Sequence, residues 1–180
     1  MPLTERWINQ AKQLAKEIHN IHIVFDKAYS SPLQRAYVTG KIITETLALD
    51  VPEKLDILIE RDFGSMTGKP IKDIELLCTP NIIKSWIITY FLDPEGAETF
   101  PQVLERAKQV LTYIQDKHKE ENILITTHGD FDKMLYTAYY GLNRKDVLMK
   151  FHFGNSEVLL LSPDSTSGNA HLFITQQYNH

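Results

Sequence analysis

The stretch Ile123–Asp130, Ile-Leu-Ile-Thr-Thr-His-Gly-Asp, constrains this chain more than any other. Five β-favouring residues run straight into a His-Gly pair, and an amphipathic helical pattern follows. A short apolar run of this kind marks a strand buried in a parallel sheet. The end of such a strand is the sheet edge at which open α/β folds bind their ligands. His128 therefore stands at a strand end and beside a helix N-terminus, where unpaired N–H groups and the helix dipole favour negative charge.

The rest of the chain supplies the layers around this strand. Thr4 is a good N-cap, Leu3 and Ile8 can staple across it, and Ile8, Ala11, Leu14, Ala15 and Ile18 mark one face of a helix over about 4–19. No strand precedes that helix, which is unusual for an α/β chain. Ile21–Tyr29 reads as a strand. Ser31, Pro32 and Gln34 form a capping-box pattern for a helix running to about Leu47, with Arg35 in its first turn. Leu55–Ile59 reads as a second strand, leading into a glycine-marked loop over 60–68. Ile71–Leu92, interrupted by Thr79-Pro80, reads as two short helices of a cap. A helix follows over about 100–119, and Asp130 is placed to cap another that Gly141 ends. Glu157–Leu161 and His171–Thr175 read as a terminal hairpin. This alternation predicts an α/β fold, a three-layer α/β/α sandwich around a mostly parallel sheet. It fits one domain over 1–180 with a small cap at about 69–95.

Composition narrows the function classes. The net charge of −4 and the scattered basic residues give no nucleic-acid footprint. No apolar run reaches the length of a membrane span. The one cysteine, Cys78, excludes an internal disulfide and a cysteine metal site, and suits a cytoplasmic setting. The histidines lack ligand spacing, so neither a metal nor another cofactor is expected.

Five stretches in order then carry a family resemblance. They are Pro2-Leu3-Thr4 with Gln10-Ala11 and Leu14-Ala15; Ser30-Ser31-Pro32-Leu33-Gln34-Arg35-Ala36 through Gly40; Leu58-Ile59-Glu60-Arg61-Asp62-Phe63-Gly64 through Gly68; Gly96-Ala97-Glu98-Thr99; and Thr127-His128-Gly129. Each alone is a weak signal, and together they cover nearly the whole chain. This pattern resembles the histidine phosphatase superfamily, with its phosphoglycerate-mutase-like fold. Trp7, Val38, Gly40 and Ala97 stand where the family pattern has glycine, glutamine, alanine and glycine. The resemblance implies phosphoryl transfer on phosphate or a small phosphomonoester. It implies Arg35 and His128 as ligands of the phosphate oxygens, Glu60 as proton donor, and Glu98 with the backbone of Thr99 on the substrate side.

The family also opens with a strand ending in Arg-His-Gly, whose histidine accepts the phosphoryl group. No Arg-His-Gly occurs in these 180 residues. As written, the chain is expected to be inactive or a fragment. Two alternatives are an active histidine phosphatase whose start lies further upstream, and a pseudoenzyme that binds phosphoesters. Because the family's opening strand lies near the middle of the sheet, two strands are expected to lose a partner. Unpaired backbone groups are costly and open edges invite association, so closure by another segment, or by a second copy in a homo-oligomer, is expected. The remaining readings are plainer. Arg61 and Asp62 read as surface charges, Arg106 as a salt-bridge partner, and Cys78 as a small buried hydrophobe. His19, His22, His152, His171 and His180 have no role in the site.

Overall fold

The structure, a computed structural model, describes residues 4–85, 88–152, 154 and 157–173. In chain order its elements are α1 (Glu5–Asn20), β1 (Lys27–Ser30), α2 (Gln34–Thr46), β2 (Glu53–Lys54), α3 (Ile74–Cys78), β3 (Ile82–Lys84) and β4 (Thr89–Phe91). Then come α4 (Phe100–Lys117), β5 (Ile123–Thr126), α5 (Gly129–Tyr140), α6 (Arg144–Lys150), β6 (Val158–Leu159) and β7 (His171–Phe173). The elements fall into two compact units, Met1–Ile59 with Val110–His128, and Glu60–Gln109 with Gly129–His180.

The first unit is a parallel sheet in the order β2-β1-β5. Lys27 to Ser30 pair in register with Ile123 to Thr126. Side chains alternate across a strand, so Tyr29 faces away from the side shared by Ala28, Ser30 and Thr126. Tyr29 meets Tyr113 and His118 at the end of α4, its hydroxyl 2.7 Å from the His118 Nε2. On the other side, a Cβ on Gly40 of α2 would lie 2.7 Å from the Thr126 Oγ1. Glycine there lets α2 approach the sheet closely. α1 packs on α2 through Ala11, Leu14, Ala15 and Ile18, all buried. Helices thus cover both faces of the sheet, as the alternation of elements requires.

Several boundaries differ from the sequence reading. The first strand begins only at Lys27, because the ladder with β5 starts there, and Val24 is 75 % exposed. Leu55–Ile59 is not a strand: β2 ends at Lys54, and Asp56–Leu58 forms a 3₁₀ turn that buries Leu58. Ser31 does not cap α2. The cap is Leu33, whose carbonyl accepts from the Ala36 and Tyr37 N–H groups, while the Ser31 hydroxyl accepts from the Leu33 N–H. Thr4 does cap α1, accepting from the Trp7 N–H. Leu3, its expected staple partner, lies outside the described residues. The second edge of β5 pairs with no strand among the described residues, and the expected closing segment is not among them.

Among the described residues of the second unit, apolar side chains pack in clusters. Met66, Ile74 and Phe91 pack with Phe63, Cys78 and Ile82. Tyr136, Val147 and Ala170 pack with Tyr140, Leu142, Phe151, Leu159 and Leu161. The segment Ile71–Leu92 is a helix followed by a hairpin rather than two helices: α3 stops at Cys78 before Thr79-Pro80, and β3 pairs antiparallel with β4. Ile82, Ile83, Thr89, Tyr90 and Phe91 are β-branched or aromatic, which favours the pleated form. α5 begins at Gly129, one residue before the expected cap. β6 and β7 form the expected terminal hairpin, though Ile174 and Thr175 lie outside the described residues. No helix among the described residues is long and apolar enough to cross a membrane.

Candidate functional site

In the first unit, the ends of β1 and β5 are tied by the Ser31 N–H, which donates to the Thr126 carbonyl at 2.9 Å. Thr127 is fixed by donating its hydroxyl to the Leu58 carbonyl at 2.8 Å. His128 follows, buried, between two partners. The Arg35 Nε donates to its Nδ1 at 3.1 Å, and its Nε2 lies 2.8 Å from the Ser31 Oγ. Arginine can only donate. Nδ1 must therefore present its lone pair, and Nε2 carries the proton and donates to Ser31. These two bonds fix the orientation of the ring. Arg35 is exposed, and among the described residues no carboxylate pairs with it. Its remaining guanidinium N–H groups form a planar fork of the kind that suits phosphate. Arg35 and His128, singled out in the sequence, are thus brought together. Ser31 was missed as a partner because its place before Pro32 looked like a helix cap.

In the second unit, Glu60 is largely buried. Its Oε1 accepts from the Arg61 N–H at 2.9 Å and the Phe131 N–H at 3.2 Å. Burial raises the Glu60 pKa above the ordinary carboxylate range, and the Asp130 charge raises it further; the two backbone N–H groups and Lys133 pull the other way. An acid with a raised pKa in the folded state holds its proton more tightly there than in the unfolded chain. Glu60 therefore costs stability progressively as pH rises from about 4, the unfolded range, through its raised folded value. Glu60→Gln is expected to lose less stability than the parent between pH 4 and pH 8 in urea titrations. Parallel curves for the two proteins would show that Glu60 is not perturbed.

Arg61 corrects the reading of it as a surface charge. It is 3 % exposed, donates from Nε to Asp130 Oδ2 at 3.0 Å and from Nη1 to the Phe91 carbonyl at 2.9 Å. Its guanidinium also stacks within 4.3 Å of the Phe91 and Phe100 ring centres. Lys133, also 3 % exposed, donates to the Gly129 carbonyl and lies 3.6 Å from Asp130 Oδ1. Burial pushes the Lys133 amine down, but the charges of Asp130, Tyr90 and Glu60 outweigh it and leave it raised. Asp130, expected as a cap, is thus the shared counter-ion of two buried cations. Neither buried cation carried a sequence signal beyond Arg61 following Glu60.

Glu98 and Thr99 are both held by side-chain bonds. Both Glu98 oxygens are held by Arg106, at 2.9 and 2.6 Å, and Arg106 lies over the Phe131 ring. The Thr99 N–H and hydroxyl both donate to the Gln102 Oε1 at 2.7 Å, closing the first turn of α4. The two motifs that carry Glu60 and Glu98 run side by side: Phe63 pairs with Ala97, and the Glu98 N–H donates to the Asp62 carbonyl. Among the described residues no cluster of His, Cys, Asp or Glu is arranged to hold a metal.

Comparison with known proteins identifies the chain's family. A model of the histidine phosphatase superfamily, branch 1, matches residues 1–174. The chain belongs to the histidine phosphatase superfamily. Phosphoserine phosphatase 1 of Hydrogenobacter thermophilus is 30 % identical over 142 residues, covering 78 % of this chain and 65 % of that enzyme. A 2,3-bisphosphoglycerate-dependent phosphoglycerate mutase of Parvibaculum lavamentivorans is 30 % identical over 154 residues, covering 81 % and 71 %. The chain thus spans about two thirds of the length of these two relatives. Among solved structures, a mycobacterial glucosyl-3-phosphoglycerate phosphatase aligns with a TM-score of 0.71 at 20 % identity, over 86 % of this chain and 75 % of its own. A phosphoserine phosphatase variant of Entamoeba histolytica in complex with phosphoserine aligns with a TM-score of 0.62 at 21 % identity, over 86 % and 75 %. The α/β fold with its parallel sheet is therefore the phosphoglycerate-mutase-like fold of this histidine phosphatase superfamily.

Proposed function

We propose that this chain binds phosphate or a small phosphomonoester at Arg35 and His128, and that the 180-residue polypeptide does not turn it over. The observation that carries this reading is the bond between the Arg35 Nε and the His128 Nδ1. It sets an exposed guanidinium against a buried imidazole at the end of a parallel strand. An arriving hydrogen phosphate would take the open Arg35 N–H groups and give its proton to the His128 Nδ1, which would then donate back to it. Both groups stabilise charge on transferring oxygens, which is the main demand of phosphoryl transfer.

Attack on phosphorus needs a free lone pair. The His128 Nδ1 lone pair is engaged by Arg35 and its Nε2 carries a proton, so His128 is a ligand and not the nucleophile. The sequence contains no Arg-His-Gly to supply another. Burial pushes the Glu60 pKa up, which is the direction a proton donor needs. Purified protein incubated with p-nitrophenyl phosphate is expected to release no nitrophenol above a His128→Ala control. A burst of product together with acid-labile phosphate trapped on a histidine would contradict the reading.

A further inference from the structure

Beyond the phosphate reading, the second unit holds a cavity of about 720 Å³ whose lining includes Thr99 but neither Arg35 nor His128. Its size is that of a small-molecule site. Strand β3, the two residues after β4, the start of α4 with Thr99, Phe100 and Pro101, and α6 form its wall. Ile82 and Ile83 of β3, Leu92 just after β4, and Met149 of α6 give it an apolar lining, and Met149 stands 37 % exposed. Arg144 and Lys145, at the start of α6, add two positive charges.

The charges are not balanced in place. Lys84, a third cation of the lining, is paired with Glu75 at 2.6 Å. Arg144 and Lys145 pair with no carboxylate among the described residues. Among the described lining residues Asp93 is the one acid, against three cations. An exposed methionine beside two unpaired cations is a poor solvent surface. It suits a ligand with one apolar and one anionic end, since the apolar body removes Met149 and Ile82 from water while the head group meets the two charges.

We propose that this cavity binds a small amphipathic anion, an aromatic or branched aliphatic body carrying a carboxylate or phosphate, with the head group on Arg144 and Lys145 and the body on Ile82, Leu92 and Met149. Arg35 and His128 take no part. The test titrates 4-phenylbutyrate into the full chain by calorimetry, with 4-phenylbutanol as the uncharged counterpart. Saturable binding of the acid is expected, at least tenfold tighter than the alcohol. Arg144→Ala combined with Lys145→Ala should weaken the acid at least tenfold, and Met149→Asp should abolish binding. Arg35→Ala should leave it unchanged, which separates this site from the phosphate pocket. The charge reversal Lys145→Glu, at an exposed position, serves as a second variant and should also weaken the acid; circular dichroism checks that each variant is folded. Equal binding of acid and alcohol, unchanged binding in the double variant, loss of binding in Arg35→Ala, or no saturable binding would each overturn the proposal.

Discussion

Gly64→Ala is expected to destabilise the second unit by on the order of 3 kcal/mol or more, the sum of a left-handed backbone position and overpacking. Gly64 has φ +52°, and a Cβ there would lie 2.3 Å from both the Ala97 nitrogen and the Glu95 carbonyl oxygen. Both obstacles are backbone, so no side-chain rotation relieves them. The chain cannot back away cheaply either. The Ser65 N–H donates to that same Glu95 carbonyl at 2.8 Å, and the Gly64 N–H donates to the Asp62 carboxylate at 2.8 Å. Gly68 is the internal control. It has φ +76° but nothing within 4 Å of a built Cβ, so Gly68→Ala should cost only the backbone term, about 1 kcal/mol. Urea midpoints of the two variants measure the difference. Equal midpoints would mean that the loops around Gly64 and Ala97 do not meet as described.

Arg61→Ala is expected to cost about 3–5 kcal/mol, the typical penalty for stranding one partner of a buried ion pair. It removes the Asp130 partner and the donor to the Phe91 carbonyl, and it leaves a void among Phe63, Phe91 and Phe100. Lys133 remains 3.6 Å from Asp130 and offsets part of the loss. Arg61→Met fills the void but still leaves the carboxylate with one cation. Adding Asp130→Asn to Arg61→Met should therefore cost less than Asp130→Asn in the parent, with a coupling of about 1–3 kcal/mol. Additive effects would show that Arg61 acts through its packing alone.

These two positions show what a sequence can and cannot disclose. α1, α4 and α5 were legible because an apolar face at helical spacing is a local property, and Thr4 marks its own cap. The strands were legible as apolar runs but not in extent. Ile23-Val24-Phe25 has every strand preference, yet the ladder begins at Lys27, because pairing depends on where Ile123 lies across the sheet. The hairpin β3–β4 was lost to a helix reading of an apolar run in which helix and strand signals coincide.

The site divided in the same way. His128 and Arg35 were legible from their addresses, a strand end and the helix that follows one. The burial of Arg61 was not, since its counter-ion Asp130 is 69 residues away. A charge is read as exposed until its partner is known. Glu98 was legible as a residue of interest, but the side-chain fork of Arg106 that holds it becomes visible only in three dimensions. Ser31 carried two compatible signals, and the local one masked its bond to His128.

The central claim is that Arg35 and His128 form a phosphate pocket. Titration of inorganic phosphate into the purified chain by calorimetry, at low salt, tests it most directly. Saturable one-to-one binding is predicted, weakened at least tenfold by Arg35→Ala and by His128→Ala, with both variants folded by circular dichroism. Phosphate binding that is unchanged by Arg35→Ala, or no saturable binding to the parent chain, would contradict the account.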